Sequence, residues 1–150
     1  MFESSTLLEL RPAHGAVLAL LAGGFAVHNV WMSLKVGQAR KKFGVKYPAL
    51  YEDATKPNAK AFNCVQRAHQ NSLENLPSFY ALLLVAGIRY PVSASIAGAV
   101  ALVGRIAYFI GYSTGEPSAR TRGAFTHLGV IALAGMVARW AVELIAPAFE

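Results

Sequence analysis

Apolar residues fall along this 150-residue chain in blocks parted by short polar stretches, and four of these blocks read as helices. The first, Pro12 to Leu34, contains no Lys, Arg, Asp or Glu and passes the usual test of about 18 uncharged residues for a membrane span. The other uncharged stretches, Asn75–Ile88, Tyr90–Gly104 and Gly123–Ala138, are shorter and end at an Arg or a Glu. Their full spans must therefore carry charges, as in packed helices with a functional interior. Helices are expected at roughly 12–40, 59–87, 91–113 and 121–147. Pro12 suits the first turn of the first helix, and Pro91 opens the third after a short Arg89-Tyr90 connection. Pro117 sits in a Gly115-Glu116-Pro117-Ser118 turn, and Asn58, after Pro57, suits an N-cap. No repeat or low-complexity tract breaks the pattern. The expected fold is all-α: one integral membrane four-helix bundle domain over residues 1–150.

Composition agrees. Hydrophobic residues make up 55% and charged residues 15%, against about 25% charged in soluble domains, and mean hydropathy is +0.39. This favours membrane insertion over a soluble all-α protein with buried helices. The first run has Glu3, Glu9 and a single Arg11 at its flank, a poor basic leader for a secretory signal, so it reads as a retained span. Cys64 is the sole cysteine; it suits a small buried apolar group better than a nucleophile.

Charge is unevenly placed. Segment 35–60 holds Lys35, Arg40, Lys41, Lys42, Lys46, Lys56 and Lys60 against Glu52 and Asp53, so most of the net +6 is local. With four spans this loop shares a side with the 113–121 turn and with Arg120 and Arg122. The positive-inside rule makes that side cytoplasmic and leaves both termini and Arg89 opposite. Attraction to anionic lipid accounts for the loop; it lacks the interleaved aromatics of a nucleic-acid surface.

The candidate chemistry begins at Phe62–Glu74, where charged and amide groups stand beside an apolar run. Arg67, Asn71 and Glu74 are spaced i, i+4, i+7 and share one helix face. Arg67 to Glu74 spans about 10 Å, the reach of an extended tripeptide. A guanidinium, an amide and a carboxylate there match a ligand carboxylate, peptide group and ammonium. A zwitterionic peptide such as glutathione fits, and so does an Arg–Glu network that merely holds helices together. Arg105, Tyr108 and Tyr112 share a second face. The tyrosines suit ligand hydrogen bonds or a membrane-interface belt. Arg105 needs a partner, for which Glu74 is the expected candidate. Arg120 or Arg122, at the start of the fourth helix, would lower the pKa of a bound thiol by favouring its charged form; lipid-phosphate anchoring is the alternative. Cys64 and His69 lack the further ligands of a zinc site, so no metal is expected. His14, His28 and His127 are scattered and read as core or interfacial, Arg139 and Glu143 as a structural i, i+4 pair. Gly23-Gly24 and Ala94/Gly98 permit close helix contact.

Taken together, these residues resemble the membrane-associated proteins of eicosanoid and glutathione metabolism, and within them the type-three microsomal glutathione transferases. The resemblance covers nearly the whole chain. It is carried by Gln38-Ala39-Arg40-Lys41-Lys42-Phe43, Lys46-Tyr47-Pro48, the Phe62–Glu74 block, and Gly111-Tyr112-Ser113-Thr114-Gly115-Glu116-Pro117-Ser118. It implies a homotrimer of four-helix protomers in the endoplasmic reticulum or another intracellular membrane, binding glutathione between neighbours at the cytosolic side. The residues implied to hold glutathione are Arg40, Arg67, His69, Asn71, Glu74, Tyr108 and Tyr112. Arg120, with Arg122 second, is implied to activate the thiol. The leukotriene C synthase branch carries Gln and Tyr where this chain has His69 and Asn75, and by the resemblance both positions touch the glutathione cradle.

The expected activity is glutathione transfer to a lipophilic electrophile, or glutathione-dependent reduction of a lipid hydroperoxide, reached sideways from the bilayer. The alternatives are a non-catalytic lipid-presenting protein of the lipoxygenase-activating type, a glutathione-dependent lipid-peroxide isomerase, and a leukotriene C synthase.

Overall fold

The computed structural model describes residues 9–149; Glu3, part of the flank weighed above, lies outside them. Every regular element among the described residues is helical. Helix α1 (Pro12–Phe25) passes through a π-helical stretch (Ala26–Met32) into α2 (Ser33–Phe43) without a break. Helix α3 is Ala59–Arg89 and α4 is Pro91–Tyr112. A 3₁₀ segment (Pro117–Gly123) leads to α5 (Thr126–Ile145), followed by a 3₁₀ turn (Ala146–Phe149).

Three runs, Pro12–Phe43, Pro91–Tyr112 and Thr126–Ile145, are long and apolar enough to cross a membrane. The fourth expected span, α3, has 31 residues and so is about 46 Å long. Its charge-free part, Asn75–Ile88, covers only about 21 Å of a hydrocarbon core near 30 Å. The polar half of α3 therefore meets its surroundings through specific partners.

Punctuation explains most helix ends. Pro12 and Pro91 occupy first-turn positions, where the missing N–H costs nothing. Gly44 ends α2 at φ 72°, with its N–H on the Arg40 carbonyl, a left-handed cap that glycine adopts without strain. Arg40, Lys41 and Lys42 in that last turn face the negative end of the helix dipole. Asn58 stands at the N-cap of α3, yet its side chain makes no capping hydrogen bond. The first helix runs three residues past the expected end, and α5 begins at Thr126 rather than 121. The latter difference has a packing cause. A methyl at Gly123 would collide with the Gly104 carbonyl and Tyr108 N–H, and one at Gly104 would stand 2.6 Å from Thr126 Cα. Residues 117–123 wind tightly to bring these backbones together. The closest backbone approaches thus fall at Gly104, Gly111, Gly123 and Gly129; of the small residues expected from sequence, a methyl at Gly24 would stand 3.0 Å from the Tyr80 ring and one at Gly98 would meet Leu83 and Leu20, while Gly23 has nothing nearer than 3.9 Å.

Two apolar clusters form the core. One joins Val17, Leu83, Ala97 and Leu133; the other joins Met32, Phe62, Ala68 and Phe109. Between them lies a buried polar layer of His28, Ser72, Arg105 and Thr126. The His28 Nδ1 contacts the Gly24 carbonyl at 2.8 Å, and His69 Nε2 donates to the His28 carbonyl at 2.9 Å. The π-helical stretch thus places one of its carbonyls within reach of α3. At the far end, Glu143 accepts from Arg139 (2.9 Å), Tyr90 (3.1 Å) and Arg89 (3.5 Å). This ties α5 to the α3–α4 connection, so the expected Arg139–Glu143 pair is part of an interhelical clasp.

Candidate functional site

The i, i+4, i+7 face of α3 forms as its spacing requires, but its two ends are joined. Arg67 Nη1 and Glu74 Oε1 are 2.8 Å apart, both side chains about half exposed. Glu74 was the expected partner of Arg105. The structure gives that role to Asn71, whose Oδ1 accepts from Arg105 Nη1 at 3.0 Å. The reason is reach along one helix: Arg67 sits two turns below Glu74 on the same face and satisfies it locally. Asn75 Nδ2 donates to the Asn71 carbonyl at 2.8 Å.

Arg105 is 7% exposed. Burying a guanidinium costs several kcal/mol (order of magnitude) unless partners replace water. Asn71 supplies one acceptor, and the Arg105 Cζ lies 5.2 Å from the Tyr108 ring centroid. Tyr108 meets Tyr112 edge to face at 5.7 Å, and the Arg120 guanidinium stands 5.8 Å from the Tyr112 ring. These side chains surround a cavity of about 360 Å³, bordered by Asn71, Asn75, Arg105, Tyr108, Arg120 and His127. That volume falls at the lower end of the range for small-molecule sites, about 300–1,000 Å³. A smaller cavity of about 40 Å³ lies deeper, bordered by His28 and Ser72, and shares Asn75, Arg105 and Thr126 with the larger one. It has room for roughly two or three water molecules, which would solvate the inner side of Arg105.

Of the expected site residues, Asn71, Tyr108 and Arg120 meet at the large cavity. Arg67 and Glu74 lie on the same α3 face as Asn71, and Tyr112 adjoins through Tyr108 and Arg120. Arg122 packs its Cδ near Gly111 and does not border the cavity. Arg40 and His69 lie away from this cavity. Buried Arg40 donates to the carbonyls of Ala49 (2.8 Å) and Leu50 (3.4 Å), between the rings of Tyr47 (4.5 Å) and Phe62 (5.2 Å). It borders a separate groove of about 660 Å³ together with Gln38, Lys41 and Lys46. Asn63 fixes the same loop by exchanging two hydrogen bonds with the Glu52 backbone, and Tyr51 donates to Gln70. In this loop a hydrogen bond from Lys56 holds the Glu52 carboxyl below its ordinary range, and the Thr55 N–H does the same for Asp53.

Asn75, expected from the resemblance to touch the glutathione cradle, borders the cavity; sequence reasoning missed the placement of His127 on the same wall. No helical spacing could have linked it to Arg120, because Arg120 lies in the 3₁₀ segment and His127 in the first turn of α5. Cys64 is buried. Among the described residues no cluster of three His, Cys, Asp or Glu groups forms.

Comparison with known proteins covers most of the chain. The MAPEG family model matches residues 18–142. Human microsomal glutathione S-transferase 2 is 36% identical over 109 residues, 72% of this chain and 69% of that protein. The mouse protein of that name is 32% identical over 136 residues, covering 87% and 86%. Bovine leukotriene C4 synthase is 37% identical over 119 residues, covering 79% and 73%.

Proposed function

The chain belongs to the MAPEG family, and from that premise we propose that it is a membrane-bound, four-span glutathione transferase for lipophilic electrophiles. The observation that carries this reading is the cavity where the Asn71–Arg105 pair, the Tyr108 phenol and the Arg120 guanidinium converge. Its groups suit glutathione: amide and guanidinium for the tripeptide's carboxylate and peptide groups, and the Glu74 carboxylate for its ammonium. The Arg67–Glu74 pair would open to serve as the two poles of that cradle, a modest demand because both are half exposed and exposed ion pairs contribute only about 0–1 kcal/mol.

Arg120 would favour the thiolate over the thiol, creating a nucleophile without any protein side chain taking part in bonding. Tyr108 would donate a hydrogen bond to it. Apolar substrates concentrate in the bilayer, which places them beside the cavity. The same thiolate would reduce lipid hydroperoxides, a second activity of one site. The similarity to microsomal glutathione S-transferase 2 and leukotriene C4 synthase supports this reading. We further propose a homotrimer in which Arg40 and His69 reach the site of a neighbouring copy, since in their own copy they lie away from the cavity.

The test is glutathione titration of the purified protein in detergent, followed by thiolate absorbance at neutral pH and by turnover of chlorodinitrobenzene. Thiolate formation with turnover is the expected result. Absence of both, with tight fatty-acid binding instead, would favour a lipid-presenting protein.

A further inference from the structure

Arg105 carries a buried charge for which the fold provides few acceptors. A guanidinium has five N–H groups, and Asn71 Oδ1 is the one hydrogen-bond partner of Arg105 among the described residues. It stands between two spaces, bordering both the large cavity and the inner one of about 40 Å³. The side chains on the inner side share a pattern. Ser72 Oγ donates to the Ala68 carbonyl at 2.8 Å, and Thr126 Oγ1 to the Ala101 carbonyl at 2.9 Å. A carbonyl only accepts, so the 2.8 Å contact between His28 Nδ1 and the Gly24 carbonyl places the ring hydrogen on Nδ1. In the neutral imidazole the other nitrogen, Nε2, is then an acceptor. His28 is 3% exposed, yet among the described residues its Nε2 has no hydrogen-bond partner. With their hydrogens committed to backbone, these three side chains offer lone pairs to the inner cavity they border. All three belong to one chain: His28 to the π-helical stretch, Ser72 to α3 and Thr126 to the start of α5. His69 meets the His28 carbonyl and does not border this cavity.

We propose that His28 is a positioning residue for the glutathione site, holding Arg105 through water in the inner cavity. The inference rests on the glutathione-transferase reading and adds to it a residue that touches no ligand. Water fits this space because it accepts from the guanidinium and donates to the lone pairs facing it, and a polar cavity of this size retains it. The structure gives no direct hydrogen bond between His28 and Arg105, so water is what connects them. With its inner N–H groups engaged, the guanidinium plane is fixed, and its remaining donors face the large cavity, ready for an anionic group of glutathione. Ordering the cation beforehand removes that cost from the binding step. An acceptor at position 28 is what the arrangement requires. The Gly24 contact serves only to orient the ring that carries it.

Three replacements separate the two ring nitrogens. His28→Gln keeps an acceptor where Nε2 stood and gives up the Gly24 contact. His28→Asn keeps a donor to Gly24 and gives up the acceptor, and His28→Leu keeps neither. The full chain in detergent is titrated with glutathione in a calorimeter. Gln is expected near the unaltered protein, and Asn and Leu about tenfold weaker, the scale of one hydrogen bond supporting a charged group. The loss should appear in KM for glutathione with kcat little changed, as for a contact made equally in ground and transition states. Retained affinity in Asn with loss in Gln would reduce the ring to an anchor within α1 and overturn the proposal; equal affinity across all three overturns it too. Nitrogen NMR of the unaltered protein adds a check that needs no variant. His28, assigned through its own backbone resonances, is expected as the neutral ring with Nδ1 protonated and Nε2 bare. An imidazolium or the opposite tautomer overturns the proposal. Failure of the underlying reading registers separately, because the unaltered protein would then bind no glutathione at all.

Discussion

Arg40 and Arg120 are both arginines near helix ends and beside aromatic rings, yet their surroundings differ in kind. Arg40 is 8% exposed, has two backbone carbonyls to bind and lies between two rings. It acts as a clamp on the loop after α2. Arg120 is exposed, borders the large cavity and has one ring near it. A guanidinium with two donors committed to backbone carbonyls has fewer left for an arriving anion, whereas one facing an open cavity can contribute its full hydrogen-bonding capacity. Residue type alone does not separate these roles; the number of donors already occupied does.

The largest effect expected from this contrast is at Arg120. Replacing it with Ala should lower turnover about 100- to 1,000-fold, the scale for losing one preorganised donor to a developing anion. Calorimetric glutathione binding should survive while thiolate absorbance disappears. Arg122→Ala should retain most activity; a greater loss there than at Arg120 would transfer the role.

Asn71→Ala should come next. It leaves buried Arg105 without its acceptor, and a hydrogen bond to a charged group contributes about 1.5–3 kcal/mol. A lower Tm in detergent is the readout, and an Asn71→Leu, Arg105→Met pair should recover part of the loss. Arg40→Ala should cost about 1–2 kcal/mol, seen as faster hydrogen exchange over residues 44–58. A simultaneous fall in glutathione affinity would support action across a trimer interface, and an unchanged affinity would confine Arg40 to the loop.

The smallest effect concerns acid. Glu52 has a lowered pKa in the folded loop, chiefly from its Lys56 hydrogen bond. A lowered carboxylate pKa contributes stability above the unfolded value and loses it as pH falls through the folded one. Proteolysis of the loop should therefore increase slightly below the ordinary glutamate range. Glu52→Gln should flatten that dependence.

The fold was largely legible because its signals are local. Pro12, Pro91 and the apolar blocks mark helix starts wherever packing imposes nothing further. The π-helical stretch was not legible: Ala26–Met32 differs little in pattern from the turns around it, and the contact that accompanies it comes from His69 on another helix. The same distinction divides the site. Spacing placed Arg67, Asn71 and Glu74 on one face, but it could not tell which of them Arg105 would reach. Nor could it show that Arg40 turns back onto the Ala49 and Leu50 carbonyls, because loop geometry decides that. His127 was passed over because histidine is uninformative until the wall it borders is known.

Where α4 touches α5 and the 3₁₀ segment before it through Gly104, Gly123 and Gly129, main chain lies on main chain, and a single added methyl has nowhere to go. That side of the chamber cannot swell for a bulky guest. Breadth of substrate choice must then come from the opposite, looser flank, so variants that widen the repertoire should map to α3 and spare the glycine seam.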